Sequence, residues 1–307
     1  MTSEAAPRLI TIGETMTLVT PMTAEPVATA TGFRLDAGGA ESNLASHLAQ
    51  LDIPAAWVSA VGADVLGERL RATIAARGVD TRWVTTDADA PTGLYVKDPG
   101  NGVLYYRAGS AASHMGPASV RDVPLESAEI VHLTGITPAL SSSCSAMIDA
   151  IIDRVAASDA VLSFDVNHRH ALWQQGVASP ALRSLANRAD IVFVGLDEAQ
   201  DLWNTDTADD VRALLPGPER LVVKDGDVGA TEFHRTDAGA DERVFAPTTP
   251  VDVVEAVGAG DAFAAGYLAA ALRGEAASVR LAAGHARARL VLQSTSDFIA
   301  ETTEQKG

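Results

Sequence analysis

Cysteine is almost absent from this chain. Cys144 stands alone among 307 residues, so no intramolecular disulfide can form, and the composition fits a reducing compartment. Lysine is nearly as scarce, with only Lys97, Lys224 and Lys306, and the formal net charge is −17. A surface of that sign argues against nucleic acid and anionic membrane as partners. No apolar run reaches the length of a membrane span. The opening residues lack a basic segment followed by an apolar one, so no secretory signal is expected and the expected location is cytoplasmic. Acidity itself serves solubility. It also means that any anionic ligand must be met by a handful of basic residues, which makes each of them worth locating.

Hydrophobic residues make up 47% of the chain, enough for a large core. Arg8–Glu14 reads as a first strand ending in glycine. Further strand-like runs fall at Ala56–Val61, Ile130–Leu133, Val161–Asp165, Ile191–Val194 and Leu221–Lys224. Helical patterns lie between them at Ser42–Leu51, Gly67–Ala76, Ser142–Ala157, Pro180–Arg188 and Thr207–Leu214. The chain then turns helical over Ala262–Leu272 and Ser278–Leu292. Strands alternating with helices predict βαβ units and a parallel sheet covered on both faces. No linker or repeat divides residues 1–307, so one domain is expected. Two segments break the rhythm, Thr20–Leu35 and Thr92–Arg107. The second reads as a hairpin with turn residues Asp98-Pro-Gly-Asn-Gly102 at its tip, and together they predict a small β-lid over a site at the carboxyl ends of the strands.

The most specific chemistry lies in Val257-Gly258-Ala259-Gly260-Asp261-Ala262-Phe263. A small-residue turn opening a helix presents unpaired N–H groups and the positive end of the helix dipole, which suit a phosphate. A carboxylate beside such an anion hole can deprotonate an alcohol as a phosphoryl group arrives. Alone, the same string also reads as an ordinary helix start after a glycine-rich turn.

Four further clusters accompany it: Gly38-Gly39-Ala40-Glu41-Ser42-Asn43-Leu44-Ala45, Val61–Gly67, Asp165-Val166-Asn167-His168-Arg169, and Lys224-Asp225-Gly226-Asp227-Val228-Gly229. As an ordered set from Thr11 to about Val291 they resemble the ribokinase/PfkB family of carbohydrate kinases. The resemblance implies a ribokinase-like α/β three-layer sandwich with a central, mostly parallel sheet and a small β-sheet lid. It also implies ATP- and Mg²⁺-dependent phosphorylation of a hydroxymethyl group. Pro91–Tyr95, Tyr105–Ala112, Leu133–Leu140 and Asp165–Arg169 followed by Leu172-Trp173 are similar to the branch that phosphorylates the sugar acid 2-keto-3-deoxygluconate at C6, with its galactonate epimer a possible second substrate. In that branch Tyr95, Tyr106, Arg107 and Arg169 would meet the sugar acid, and Gly38, Gly39 and Asn43 its hydroxyls. Asp261 would be the base, with Gly258, Ala259 and Gly260 stabilising phosphoryl charge. Asn167, Arg169, Lys224, Asp225, Gly226 and Gly229 would lie by the nucleotide along with the Gly258–Gly260 turn. A homo-oligomer formed through the lid is expected by the same resemblance; a monomer in sedimentation would remove that expectation.

The residues themselves leave alternatives open. Guanidinium groups suit carboxylates through paired hydrogen bonds, yet Arg107 and Arg169 could equally pair with some of the forty Asp and Glu residues, and Arg169 could serve a phosphate. Tyr95 and Tyr106 could be strand-face packing residues. The chain also departs from its relatives. Many carry Asp-Thr before the glycine turn, where this chain has Glu255-Ala256. Many carry Asn-x-x-Glu at a helix start, where this chain has Gly195-Leu-Asp-Glu198. Glu255 and Glu198 remain the candidates for the metal side, with a cap or surface role open to Glu198. His168 and His170 alternate in a loop with no Cys/His partners nearby, so a zinc site is not expected. Three rival functions follow: a kinase for a neutral sugar, a non-catalytic sugar-binding protein on the same scaffold, and a Rossmann dehydrogenase. The last fails because no GxGxxG follows the first strand.

Overall fold

The computed structural model describes residues 6–236, 239–294 and 298. The first strand, β1 (Leu9–Ile12), is buried at every position, as a strand covered on both faces must be. After it come β2 (Met16–Pro21), β3 (Phe33–Gly38), helix α1 (Ala40–Gln50), β4 (Ala55–Gly62) and α2 (Val65–Ala76). Then follow β5 (Val84–Asp87) and a hairpin of β6 (Leu94–Asp98) and β7 (Gly102–Tyr106). A regular alternation continues through β8 (Ile130–Thr134), α3 (Ser142–Ala156), β9 (Val161–Asp165), α4 (Ala178–Ala186), β10 (Ile191–Gly195), α5 (Leu196–Trp203) and α6 (Ala208–Leu214). A meander of β11 (Arg220–Asp225), β12 (Gly229–Arg235) and β13 (Asp241–Pro247) precedes α7 (Ala259–Leu272) and α8 (Ala277–Leu292).

Nine strands form one sheet in the order β13-β12-β11-β10-β9-β8-β1-β4-β5. Pairing is parallel from β11 to β5 and antiparallel at β11–β12 and β12–β13. Alternate residues feed two cores. Ile10 and Ile12 pack with buried residues of α3, α4, α5 and α6, while Leu9, Trp57 and Phe193 pack with those of α1, α2, α7 and α8. The result is the expected three-layer sandwich. Helix α7 is apolar all round, with Ala262 to Ala270 buried without interruption, which fits a helix wrapped by sheet and neighbours. Among the described residues no helix is long and apolar enough to cross a membrane.

The sequence reading assigns no element to residues 229–247, where β12 and β13 lie. β13 is a half-exposed edge strand that begins Asp241-Glu242-Arg243, and charge of that kind protects an edge while hiding the strand signal. It also gives no helix range for α5, whose eight residues include only one fully buried position, Ala199.

The lid is a second sheet in the order β3-β2-β6-β7. Its hairpin is as expected, with Asp98 opposite Gly102. The first lid segment differs: the strands are Met16–Pro21 and Phe33–Gly38, so 20–35 covers mainly the loop between them. Register sets Leu18, Tyr95 and Tyr105 on one face, and Met16, Leu18 and Tyr95 are buried there with Val103 against them. The other face exposes Phe33, Leu35, Leu104 and Tyr106.

Candidate active site

The carboxyl ends of β1, β8, β9, β10 and β11 open on one edge of the large sheet. The chain's direction of growth reverses beside β1, where open α/β sheets form ligand crevices. The N-termini of α1 and α7 meet there. Helix α7 starts at Ala259 rather than at Ala262, so the glycine turn and Asp261 belong to its first turn. Gly258 caps it at φ 83°, a left-handed conformation that a side chain would strain. Ala259 N–H donates to Ala256 O at 3.2 Å and Ala262 N–H to Gly258 O at 3.0 Å. The Ala259 donor expected to serve an anion is therefore engaged within the turn, a correction to the three-donor reading. Those of Gly258 and Gly260 have no backbone partner among the described residues.

Helix α1 reaches the same point because its two leading glycines permit close approach. A Cβ on Gly39 would sit 2.5 Å from Glu14 O, and one on Gly38 would sit 1.9 Å from Tyr95 Oη. In the first turn, Asn43 Nδ2 donates to Asp261 Oδ2 at 3.0 Å. Asn43 Oδ1 is buried and accepts no hydrogen bond from the described residues. This amide has one end on Asp261 and, among the described residues, an acceptor left open at the other.

On the other side of Asp261 lies a charge cluster. Lys224 Nζ donates to Asp165 Oδ2 at 3.2 Å and would lie 3.4 Å from a Cβ on Gly260. Burial opposes the Lys224 charge, but Asp165, Glu198 and Asp261 outweigh it and hold the ammonium above its ordinary range. Glu198 Oε1 accepts from His168 N at 2.9 Å and Oε2 from Gly195 N at 2.8 Å, so both of its oxygens are used. Burial raises its carboxyl while Lys224 works against that rise. Asn167 follows Asp165 with φ 37°, a left-handed turn that asparagine tolerates, and its Oδ1 is buried without a partner among the described residues. Arg169 is exposed, and its guanidinium Nη1 donates to His168 O at 3.2 Å. Asp225 and Gly226 form a tight turn closed by Val228 N to Asp225 O at 2.8 Å. Gly229 has a packing reason of its own, since a Cβ would meet Ala246 O at 2.5 Å.

The lid side brings the clearest differences from expectation. Arg107 is paired with the buried carboxylate of Glu14, with Nε 2.7 Å from Oε2 and Nη2 also in contact, and Ser110 Oγ bonds the other oxygen at 2.5 Å. The forked face of the Arg107 guanidinium is thus spent within the chain, so Arg107 is not an open clamp for a sugar carboxylate. Tyr95 and Tyr106 lie on opposite faces, because Tyr95 pairs with Tyr105 and Leu94 with Tyr106. Tyr105 is the tyrosine stacked on Tyr95, at 5.8 Å between ring centroids, whereas Tyr106 points outward and is 61% exposed. Glu255 also has a partner, Lys97 of β6, at 2.6 Å. With Glu198 bonded to two backbone amides and Glu255 to a lysine, neither fits as an open direct metal ligand. Among the described residues no group of three His, Cys, Asp or Glu side chains could hold an ion.

Sequence reasoning gave no individual role to four groups that lie in this region: Glu14, Glu41, Asp165 and Lys97. Glu14 and Asp165 stand at or just after strand carboxyl ends, a position that could have flagged them. Glu41 is fully buried, with Oε1 accepting from Thr134 Oγ1 at 2.8 Å and Thr137 Oγ1 at 3.0 Å. Burial pushes its carboxyl up to about 7, against the two hydroxyls and the charge of Arg107. Lys97 carries no local signal, because its partner lies far along the chain.

A model of the pfkB family of carbohydrate kinases matches residues 6–303. The chain is 30% identical over 306 residues to 2-dehydro-3-deoxygalactonokinase of Haloferax volcanii, covering 97% of this chain and 94% of that one. It is 31% identical over 306 residues to 2-dehydro-3-deoxygluconokinase of Bacillus subtilis, covering 97% and 93%. A fructokinase of Rhizobium leguminosarum bv. trifolii is 32% identical over 244 residues, covering 78% and 72%. The crystal structure of a PfkB protein from Polaromonas sp. JS666 superposes with a TM-score of 0.86 at 34% identity, covering 95% of this chain and 97% of that one. From the glycine-opened helix α7, the crevice at the strand ends and a family match over nearly its whole length, the chain belongs to the pfkB family of carbohydrate kinases.

Proposed function

We propose that this kinase transfers the γ-phosphoryl group of ATP to the C6 hydroxyl of 2-keto-3-deoxygluconate, or of its galactonate epimer. The observation that carries the reading is the Asn43–Asp261 hydrogen bond of 3.0 Å. It joins the helix that would hold the sugar to the helix that would hold the phosphoryl group. The base then lies where the reacting hydroxyl must sit.

In the transfer, the C6 oxygen forms a bond to the γ-phosphorus as the bond from phosphorus to the bridging oxygen breaks. The hydroxyl proton passes to Asp261, and ADP leaves with the electron pair of the broken bond. The N–H groups of Gly258 and Gly260 and the α7 dipole meet the charge on the phosphoryl oxygens. Asn167 and the Asp225–Gly226 turn line the nucleotide side. Mg²⁺ bound with ATP would supply neutralisation of the phosphate charge. Arg169 supplies the guanidinium for the sugar carboxylate. Tyr105, stacked on Tyr95, takes the place expected of Tyr106 on the inner lid face.

One observation favours a second reading, a kinase for a neutral sugar. Arg107 is neutralised by Glu14, and a fructokinase is among the relatives. ADP release with ATP and Mg²⁺ decides between them. The panel is 2-keto-3-deoxygluconate, its galactonate epimer, fructose, ribose and adenosine. The sugar-acid reading predicts turnover of the two acids alone. Turnover of fructose or ribose with silence on the acids would refute it and leave the neutral-sugar reading standing.

A further inference from the structure

Of the three lysines in this acidic chain, one stands at the heart of the transfer site. Lys224 ends the buried part of β11, and its Nζ lies 3.2 Å from Asp165 Oδ2 and 3.4 Å from the open side of Gly260. Around it are carboxylates from three separate elements: Asp165 of β9, Glu198 of α5 and Asp261 of α7. Two of them are fixed by backbone donors, since Asp165 Oδ1 accepts from Asn167 N at 3.3 Å and Glu198 accepts from His168 N and Gly195 N. Asp261 is the one of the three with a reaction to perform. We infer that Lys224 is the resident cation of the transfer centre, a positioning residue that holds Asp261 as a carboxylate facing the anion hole. The inference rests on the proposed role of Asp261 as the base.

The physical case is one of charge balance. Three carboxylates converge at the mouth of a helix that is to receive a phosphate, and without a cation they would repel both one another and ATP. The α7 dipole amounts to about half a positive charge. A further titratable neighbour is His132 of β8, hydrogen-bonded to Ser163 Oγ at 2.9 Å and buried. Burial brings its pKa down to about 4, so it is neutral across the working range and supplies no positive charge. Asn43, which donates to Asp261, is uncharged. Lys224, bonded to Asp165 and set against the Gly260 turn, is a fixed cation of the cluster.

The test compares the intact enzyme with Lys224→Met and Lys224→Arg, using ATP, Mg²⁺ and the best acceptor from the substrate panel. Removing the charge makes Asp261 harder to ionise, so the acid limb of the kcat/KM profile should move to higher pH, by about one unit. For Lys224→Met, kcat should fall on the order of 10²-fold, the scale of losing one preorganised electrostatic group, with the sugar KM changed less than about threefold. Lys224→Arg, which keeps the charge, should recover at least about tenfold of that loss and return the acid limb to its wild-type position. An acid limb unmoved in Lys224→Met, or a kcat within about threefold of wild type, would overturn the inference. Should Lys224→Met fail to fold, as thermal melting would reveal, Lys224→Arg decides alone: a wild-type acid limb supports the inference and a shifted one overturns it. Because the acceptor is whichever sugar the wild type uses, a wrong substrate assignment leaves this readout intact.

Discussion

Glu41 is fully buried in α1, one of its oxygens bonded by Thr134 and Thr137 and the other without a partner among the described residues. Its carboxyl rises from 4.5 to about 7 because burial disfavours the charge. The folded state therefore binds a proton more tightly than the unfolded chain, and the sign follows from linkage. The Glu41 contribution to stability is fully present below about 4.5, falls as pH rises from there to about 7, and is lost beyond. At about 1.4 kcal/mol per pKa unit, the loss is about 3 kcal/mol. Glutamine copies the neutral acid, so Glu41→Gln should melt higher than wild type above pH 7 and nearly with it at pH 5. Equal melting differences at both values would contradict this account. His132 acts in the opposite sense, since its lowered pKa favours folding at neutral pH and that stability is lost as pH falls from 6.5 toward 4. Comparing the variant with wild type at each pH cancels the histidine contribution.

At the scale of elements, the lid and the loop before α7 are tied by one ion pair. Lys97 of β6 reaches Glu255 at 2.6 Å, and their side chains are 9% and 25% exposed. A partly buried pair of this kind is worth about 1 kcal/mol, or roughly fivefold in an equilibrium. Lys97→Met should therefore raise the sugar KM by about fivefold and increase ATP hydrolysis in the absence of sugar, because a looser lid admits water. Steady-state kinetics with and without acceptor reads both, and a variant unchanged in both would show that the pair does not latch the lid. This pair also marks where sequence reading stops. The strands β1, β8, β9 and β10 were legible because parallel strands covered on both faces are mostly apolar, and α7 because of its glycine turn. Pairing between distant parts of the chain was not legible: Arg107 with Glu14, Lys97 with Glu255 and Asn43 with Asp261 leave no local pattern. The outward place of Tyr106 was not legible for a simpler reason. Adjacent strand residues point to opposite faces, and Tyr105-Tyr106 offers two candidates until the register with Tyr95 chooses between them.

The whole molecule carries a net charge of −17, and it must bind anions. On the proposed reading it does so by local arrangement: the α7 N-terminus, Lys224 and the exposed Arg169 lie toward the carboxyl edge of the sheet, within a surface that otherwise repels phosphate. Two of the three lysines, Lys97 and Lys224, are committed to this region. The central claim is that Asp261, held by Asn43, removes the proton from the acceptor hydroxyl. The most direct measurement is the turnover of Asp261→Asn with its acceptor and Mg²⁺-ATP, alongside calorimetric binding of each substrate. We predict a fall in kcat on the order of 10³-fold, within the range of a lost general base, with both dissociation constants changed less than about threefold. Near-normal turnover with both substrates bound would contradict the account.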